Sequence, residues 1–407
     1  MIKRLILKKL EKEIGQPEIN ILLGPRQVGK TTLLLELERA ARKEGHETYF
    51  FDLEQPQILA EFNRSDAEII RKIKGAGQVV FIDEFQYLQN ASKIFKAIYD
   101  SRSRIKLICS GSSSIEIHKH LKESLAGRRL LFRIYPLEYF EIKSAGRDVS
   151  LEGYFRFGGM PVLTHANTEE RKIQILTELL GAYILKDIKS LVKEENIRAF
   201  NHLLYLLAEH QGSVISVHSL AGEVSMSSKA VNRYLDILEE TFVNFRVSSY
   251  SNNLGNELKK SCKTYLYDLG VRNAILKDFS VLKERSDKGV ILESFVFLRL
   301  KVVLKPNMEI KFWRTKDGDE VDFILLKDRT PFPIEVKSRL EGLEIPKGLK
   351  RFLARYPRTK TAFVINENQS GRVESGSCEI HFVTLETFAG PENLIFNMLH
   401  LRSHESI

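Results

Sequence analysis

Nine residues near the amino terminus restrict this chain more than anything else in it: GPRQVGKTT, Gly24 to Thr32. They match the pattern GxxxxGK[ST], and their flanks suit it. The apolar run Ile19 to Leu23 precedes them and the helix-like stretch Thr32 to Arg42 follows. A strand that turns through glycines into a helix aims backbone N–H groups and the positive end of the helix dipole at one point, where a phosphate chain fits. Gly24, Pro25, Arg26, Gln27, Val28, Gly29, Lys30, Thr31 and Thr32 are therefore candidate ATP-binding residues. Lys30 would reach the β- and γ-phosphates, and the Thr31 hydroxyl would ligate Mg2+.

The second half of such a site is QVVFIDE, Gln78 to Glu84. A buried apolar strand there delivers two carboxylates at its carboxyl end. Asp83 would hold Mg2+ through water, and Glu84 would orient and deprotonate the attacking water. The next apolar run, Ile105 to Cys109, ends in SGSSS, Ser110 to Ser114. Ser110 and Ser112 are candidates to bond the γ-phosphate or the water, a plain loop being the other reading. Arg128, in LAGRR before the run Leu130 to Ile134, would serve as an arginine finger in its own or a neighbouring subunit, or else as a surface ion-pair partner.

Between residues 18 and 135 apolar strand-like runs alternate with helix-like stretches, which predicts a parallel sheet with helices on both faces. Residues 1–165 are read as this domain, and 166–195 as a helical connector. Over 196–275 the texture changes to three short helices, the last from Ser228 to Glu240, then a hairpin from Phe242 through a turn at Asn252 to Gly255 to Tyr267. That is the winged-helix pattern. In its third helix Val231, Tyr234, Leu235 and Leu238 repeat at i, i+3, i+4, i+7 and face inward, leaving Lys229, Asn232 and Arg233 outward, toward DNA or toward solvent.

Over 280–407 helix gives way to strands. GDEVDFILL, Gly318 to Leu326, and FPIEVK, Phe332 to Lys337, read as two strands around a turn at Lys327 to Pro331. Paired as a hairpin, they bring Asp322 beside Glu335, with Lys337 on the same face as Glu335. This resembles the PD-(D/E)xK nuclease pattern. The resemblance implies a restriction-endonuclease-like α/β domain in which Glu293, Asp322 and Glu335 hold a divalent metal and Lys337 steadies the transition state. Asp319 and Glu320 are alternatives if the register differs. Lys347, Lys350, Arg351, Arg355 and Arg358 follow on a helix and would contact a phosphate backbone or form a solvated face.

The whole series, GPRQVGKTT, VVFIDEFQ (Val79 to Gln86), SGSS (Ser110 to Ser113), LAGR (Leu125 to Arg128), Gly158-Gly159-Met160-Pro161 and YLYDLG (Tyr265 to Gly270), is similar to a family of archaeal and bacterial AAA-type ATPases. Its members join a P-loop NTPase domain to a winged helix and a nuclease-like module. The resemblance implies that the Ser110 strand lies between the P-loop and Asp83 strands.

A net charge of +9 over 407 residues favours an anionic partner, nucleic acid first and DNA before RNA. The longest apolar stretch, Gly289 to Leu304, is broken by Glu293, Arg299 and Lys301, so a membrane span is not expected. Cys109, Cys262 and Cys378 stand far apart, which argues against zinc and disulfides and for a cytoplasmic protein. His118, His120 and His218 show no ligand spacing. The expected activity is ATP hydrolysis acting as a switch coupled to nucleic-acid binding, with Mg2+-dependent cleavage an extension of it and a homo-oligomer required if Arg128 acts across subunits. The alternative is an interaction ATPase whose later modules bind protein or DNA without cutting.

Overall fold

The computed structural model describes residues 2–101, 104–112, 125–182, 197–251 and 261–391, with Ile395 and Asn397. Expectations for Ser113, Ser114, His118, His120, the connector beyond residue 182 and the turn Asn252 to Gly255 lie outside the described residues. The chain divides into two compact units at Leu137 and Glu138, with Glu240–Val243 grouping with the first. Residues 138–165, read from sequence with the first domain, thus belong to the second unit.

In the first unit β1 (Ile19–Gly24), β2 (Thr48–Asp52), β3 (Val79–Asp83), β4 (Lys106–Ser112) and β5 (Arg129–Arg133) form one parallel sheet ordered β2-β3-β4-β1-β5. β4 therefore lies between β1 and β3, as the resemblance implies. Every residue of β1 and β3 is buried, which is why these strands read as continuous apolar runs rather than as alternation. The helix Lys30–Lys43 buries Leu33, Leu34, Leu37 and Ala41, and the helix Ala91–Asp100 buries Ile94, Phe95 and Ile98. Each such large apolar side chain contributes roughly 1.5–3 kcal/mol on burial. Tyr49 and Leu131, on the edge strands β2 and β5, stay exposed.

In the second unit β6 (Val214–Ser216), β7 (Asn244–Ser248) and β8 (Ser261–Leu266) form an antiparallel sheet ordered β6-β8-β7, with helices Ile197–Glu209, Val217–Glu223 and Ser228–Glu240. β6 was not legible in the sequence, since its three residues are too few to show alternation. The last of these helices buries Val231, Tyr234, Leu235 and Leu238 and leaves Lys229, Asn232 and Arg233 exposed, matching the spacing. β9 (Met308–Arg314), β10 (Glu320–Lys327), β11 (Thr330–Val336), β12 (Thr361–Asn366), β13 (Gly371–Ser375) and β14 (Cys378–Thr384) make a mixed sheet ordered β13-β14-β12-β11-β10-β9. Only the β11–β12 and β12–β14 pairs are parallel. β10 and β11 are joined by Asp328 and Arg329, with φ of 49° and 65°, so the two-residue loop turns with the twist of the strands. The helix Lys288–Val303 precedes this sheet. The helix Lys347–Arg355 covers it with Leu349, Phe352 and Leu353 and exposes Lys347, Lys350, Arg351 and Arg355.

The two short motifs left over from the sequence meet in this unit. The Asp268 carboxylate accepts from Gly159 N at 2.8 Å and Val271 N at 3.0 Å. Gly158 has φ 72°, and a Cβ on it would lie 2.2 Å from Asp268 Oδ1. Among the described residues no helix is long and apolar enough to cross a membrane.

Candidate functional site

The loop after β1 is shaped by close approach and by left-handed backbone. A Cβ on Gly24 would lie 2.2 Å from Ile134 O, so only glycine fits as the chain leaves the sheet. Gln27 at φ 60° and Gly29 at φ 91° then curl the loop into the helix that begins at Lys30. Lys30 is 5% exposed. Its Nζ donates to Gly24 O at 3.1 Å and Pro25 O at 2.9 Å, which holds the ammonium inside the loop. Burial lowers its pKa, and the Glu84 and Asp83 charges oppose that. Arg26, Gln27, Thr31 and Thr32 are exposed on the loop and first helical turn, whereas Pro25 and Val28 are buried. Arg4 Nη1 pins the Val28 carbonyl at 2.9 Å.

Asp83 ends β3 at 2% exposure. Ser110 Oγ donates to Asp83 Oδ1, and the Thr31 hydroxyl also favours the ionised form of that carboxylate. Burial raises the Asp83 pKa while these two groups oppose the rise. Glu84 follows at φ 51° and ψ 47°, a left-handed conformation that a residue with a side chain enters at a cost of order 1–3 kcal/mol. That kink turns its carboxylate toward β4. Ser112 N donates to Glu84 Oε2 at 3.3 Å, and Gln86 Nε2 bonds both that oxygen and, at 3.0 Å, Ser112 Oγ. The two serine candidates therefore divide the acids between them, Ser110 on Asp83 and Ser112 on Glu84. Gly111 between them has no alternative, since a Cβ there would lie 2.8 Å from Phe85 Cε1 and 2.9 Å from Gln86 Oε1.

Sequence reasoning missed two residues here. Gln86 was visible in VVFIDEFQ, but its bond to Glu84 depends on the 3-10 turn Phe85–Tyr87. Glu54 stands beyond β2, and its pKa is raised by partial burial and then by the Glu84 charge. The pairing Asp52↔Asp83 puts the ends of β2 and β3 level, so residues just past β2 reach the same sheet edge.

Arg128 is a correction. Its guanidinium bonds Asp100 at 2.7 and 3.3 Å, and its carbonyl accepts from Ile19 N. Ile19 and Gly24 are the two ends of β1, roughly 17 Å apart along a strand. Arg128 thus sits at the sheet edge opposite the phosphate loop and does not reach a nucleotide in its own chain.

Oxygen donors from Asp83 and Thr31, beside a buried lysine, are the hard ligands that Mg2+ takes. The residues present at this loop fit the ion.

The C-terminal constellation is assembled only in part as expected. The register Phe323↔Ile334 sets Asp322 opposite Glu335, and Val336 N donates to Asp322 Oδ2 at 2.7 Å. Lys337 Nζ donates to Glu335 Oε1 at 2.6 Å. Glu293, on the preceding helix, accepts from Tyr265 OH at 2.5 Å. However, Lys263 of β8 lies among the acids, its Nζ 2.9 Å from Glu293 Oε1, 2.5 Å from Glu320 Oε1 and 3.8 Å from Asp322 Oδ1. Among the described residues no group of three or more His, Cys, Asp or Glu side chains is arranged to hold a metal. The expected metal set Glu293, Asp322 and Glu335 is thus not assembled as a free group of acids: Lys263 from another strand faces Glu293 and Asp322, and Glu335 pairs with Lys337. Asp319 belongs elsewhere, pairing with Lys347 at 3.2 Å and Arg351 at 3.8 Å. Burial raises the Glu335 pKa to about 8, helped by the Asp322 charge and opposed by Lys337. Burial likewise raises Glu293 to about 7, with Lys263 opposing.

Comparison with known proteins divides the chain in three. Residues 16–143 match the family model described as AAA domain, 149–281 a domain of unknown function (DUF8612) and 288–387 another (DUF4143). An uncharacterized protein of Mycobacterium tuberculosis is 26% identical over 332 residues, covering 81% of this chain and 72% of its own. One from Haemophilus influenzae is 23% identical over 329 residues, covering 76% and 80%. One from Methanocaldococcus jannaschii is 26% identical over 346 residues, covering 79% and 75%. Among solved structures, replication initiator DnaA bound to AMPPCP and single-stranded DNA is similar at TM-score 0.30 and 16% identity, over 58% of this chain and 86% of that one. AMPPCP-bound DnaA from Aquifex aeolicus gives TM-score 0.30 and 15% identity over the same shares. The AAA-domain match agrees with the phosphate loop and the parallel sheet: the first unit is built as an AAA-type P-loop domain.

Proposed function

We propose that this chain binds ATP with Mg2+ in the Gly24–Thr31 loop and hydrolyses it, and that the second unit responds to that cycle by binding nucleic acid. One observation carries the first half: Asp83 ends β3 and Glu84 follows it, and the charges of both act on the buried Lys30, so the acids converge at the lysine-bearing loop. Thr31 and, through water, Asp83 would hold Mg2+, which would neutralise charge on the β- and γ-phosphates. Lys30 would leave its loop carbonyls for the phosphate oxygens. Glu84 would take the proton of the water that attacks the γ-phosphorus as the bond to the ADP oxygen breaks.

The second half rests on the exposed cations Lys229 and Arg233 on one helix of the second unit, Lys347, Lys350, Arg351 and Arg355 on another, and Arg358 in the turn beyond it. The order of three helices and the β6-β8-β7 sheet supports the winged-helix reading, and the β9–β10 and β10–β11 hairpins, with β12 parallel to β11 and a helix covering the sheet, support the nuclease-like one. DNA is the favoured partner over RNA. Of the two readings of the last module, binding without cleavage is favoured by Lys263 within the acidic cluster. Any role for Arg128 as a finger needs a second copy of the chain.

The test is ATP turnover with Mg2+ present and absent. Lys30→Ala is expected to abolish nucleotide binding. Glu84→Gln is expected to retain ATP and slow hydrolysis by about 10²–10⁴-fold. An ATPase rate untouched by Glu84→Gln would remove the first half. DNA and RNA that neither bind at low salt nor change the rate would remove the second.

A further inference from the structure

The positive charge among the C-terminal carboxylates is not part of the hairpin that carries them. Lys263 comes from β8, the middle strand of the three-stranded sheet, paired at Val214↔Lys263 on one side and Val247↔Lys263 on the other. Its side chain is 1% exposed. Tyr265, two residues along and so on the same strand face, bonds Glu293. Held by two neighbouring strands, the lysine has little freedom to withdraw while β8 stays in its sheet. Its Nζ lies within ion-pair distance of Glu293, Glu320 and Asp322, so the side chain stays an ammonium.

A divalent ion held by Glu293 and Asp322 would compete for oxygens that Lys263 already faces. Two cations within a few ångströms in a poorly solvated site repel strongly. Glu335, at the far end of the cluster, is 4% exposed, and its Oε2 has no hydrogen-bond partner among the described residues, so Lys263 does not satisfy that end.

We infer that Lys263 is a tethered cation standing in for a divalent metal in the Glu293, Asp322 and Glu335 cluster, so that the folded module excludes the metal and binds its partner without cutting phosphodiester bonds. This goes beyond ATP hydrolysis and does not depend on it.

The experiment is Mn2+ binding to the full chain without nucleotide, followed by the loss of free-ion electron paramagnetic resonance signal. Wild type and Asp322→Asn are expected to bind Mn2+ alike, because no Asp322-dependent site is open. Lys263→Met is expected to bind Mn2+ at least tenfold more tightly than wild type, and Lys263→Met/Asp322→Asn to lose that gain. Lys263→Met/Glu320→Gln removes the ammonium together with its nearest partner, retains the other three acids, and is expected to show the same gain even if the single variant folds poorly. Wild type binding Mn2+ through Asp322 as tightly as the lysine variants would overturn the inference. So would folded lysine variants that gain nothing. A chain found inert toward ATP leaves this readout standing, since no nucleotide is present.

Discussion

Ser112 N points at Glu84 Oε2 across 3.3 Å, joining the end of β4 to the residue after β3. The carboxylate proposed to activate water is thereby oriented by the strand inserted beside it, with Gln86 bridging the two residues.

Gln86→Ala should therefore slow hydrolysis. A hydrogen bond to a charged group contributes about 1.5–3 kcal/mol, so kcat should fall about tenfold or more, while the KM for ATP stays within about twofold. Steady-state kinetics separate the two. A matched rise in KM with kcat unchanged would show that Gln86 serves binding instead.

Ser110 acts on the other acid. Its hydroxyl and that of Thr31 favour the ionised form of the buried Asp83 carboxyl. Ser110→Ala should raise the Asp83 pKa further and increase the Mg2+ concentration needed for half-maximal ATPase by roughly threefold to tenfold, on the order of 1 kcal/mol of lost bonding. A Mg2+ titration at fixed ATP checks this, and an unchanged midpoint counts against Asp83 as the cation's partner.

Gly158→Ala should destabilise the second unit. The new Cβ would meet Asp268 Oδ1 at 2.2 Å on a backbone at φ 72°, disturbing a buried carboxylate that holds Gly159 and Val271. A loss of about 3 kcal/mol is expected, or roughly 6–12 °C in the unfolding midpoint. Trp313, the sole tryptophan, is buried on β9 and reports that unit by fluorescence.

The second unit should also lose stability as pH rises past neutrality. Glu335 and Glu293 have folded-state pKa values of about 8 and about 7 against an ordinary 4.5. Values raised on folding mean that the native state favours the protonated carboxyls. Their contribution is complete below about pH 4.5 and disappears as pH climbs through 7 and 8. Glu335→Gln should flatten this decline and leave the variant more stable than wild type at pH 8. Denaturation followed through Trp313 at a series of pH values measures it, and a wild-type midpoint that rises from pH 5 to pH 8 would contradict the assignment.

Much of the first unit was readable residue by residue. A phosphate loop needs a strand, particular glycines and a helix in a fixed local order, so Gly24 to Thr32 carry the whole signal within nine positions. Asp83 and Glu84 were legible for the same reason, as the end of an apolar run. The spacing of Val231, Tyr234, Leu235 and Leu238 and the hairpin that sets Asp322 against Glu335 are likewise local periodicities.

Tertiary structure decided what depends on neighbours distant along the chain. Arg128 looked poised for a phosphate because it follows a glycine near a strand, but parallel pairing puts the start of β5 at the edge away from the loop. Nothing in the sequence around Lys263 marks it, and only the packing of β8 beside β10 and the helix Lys288–Val303 makes it the counter-charge of Glu293, Glu320 and Asp322. Periodicity reports which face of an element is buried. It carries no information about which charges from other elements are buried against that face, and those contacts determine whether a cluster of carboxylates holds a metal or a lysine.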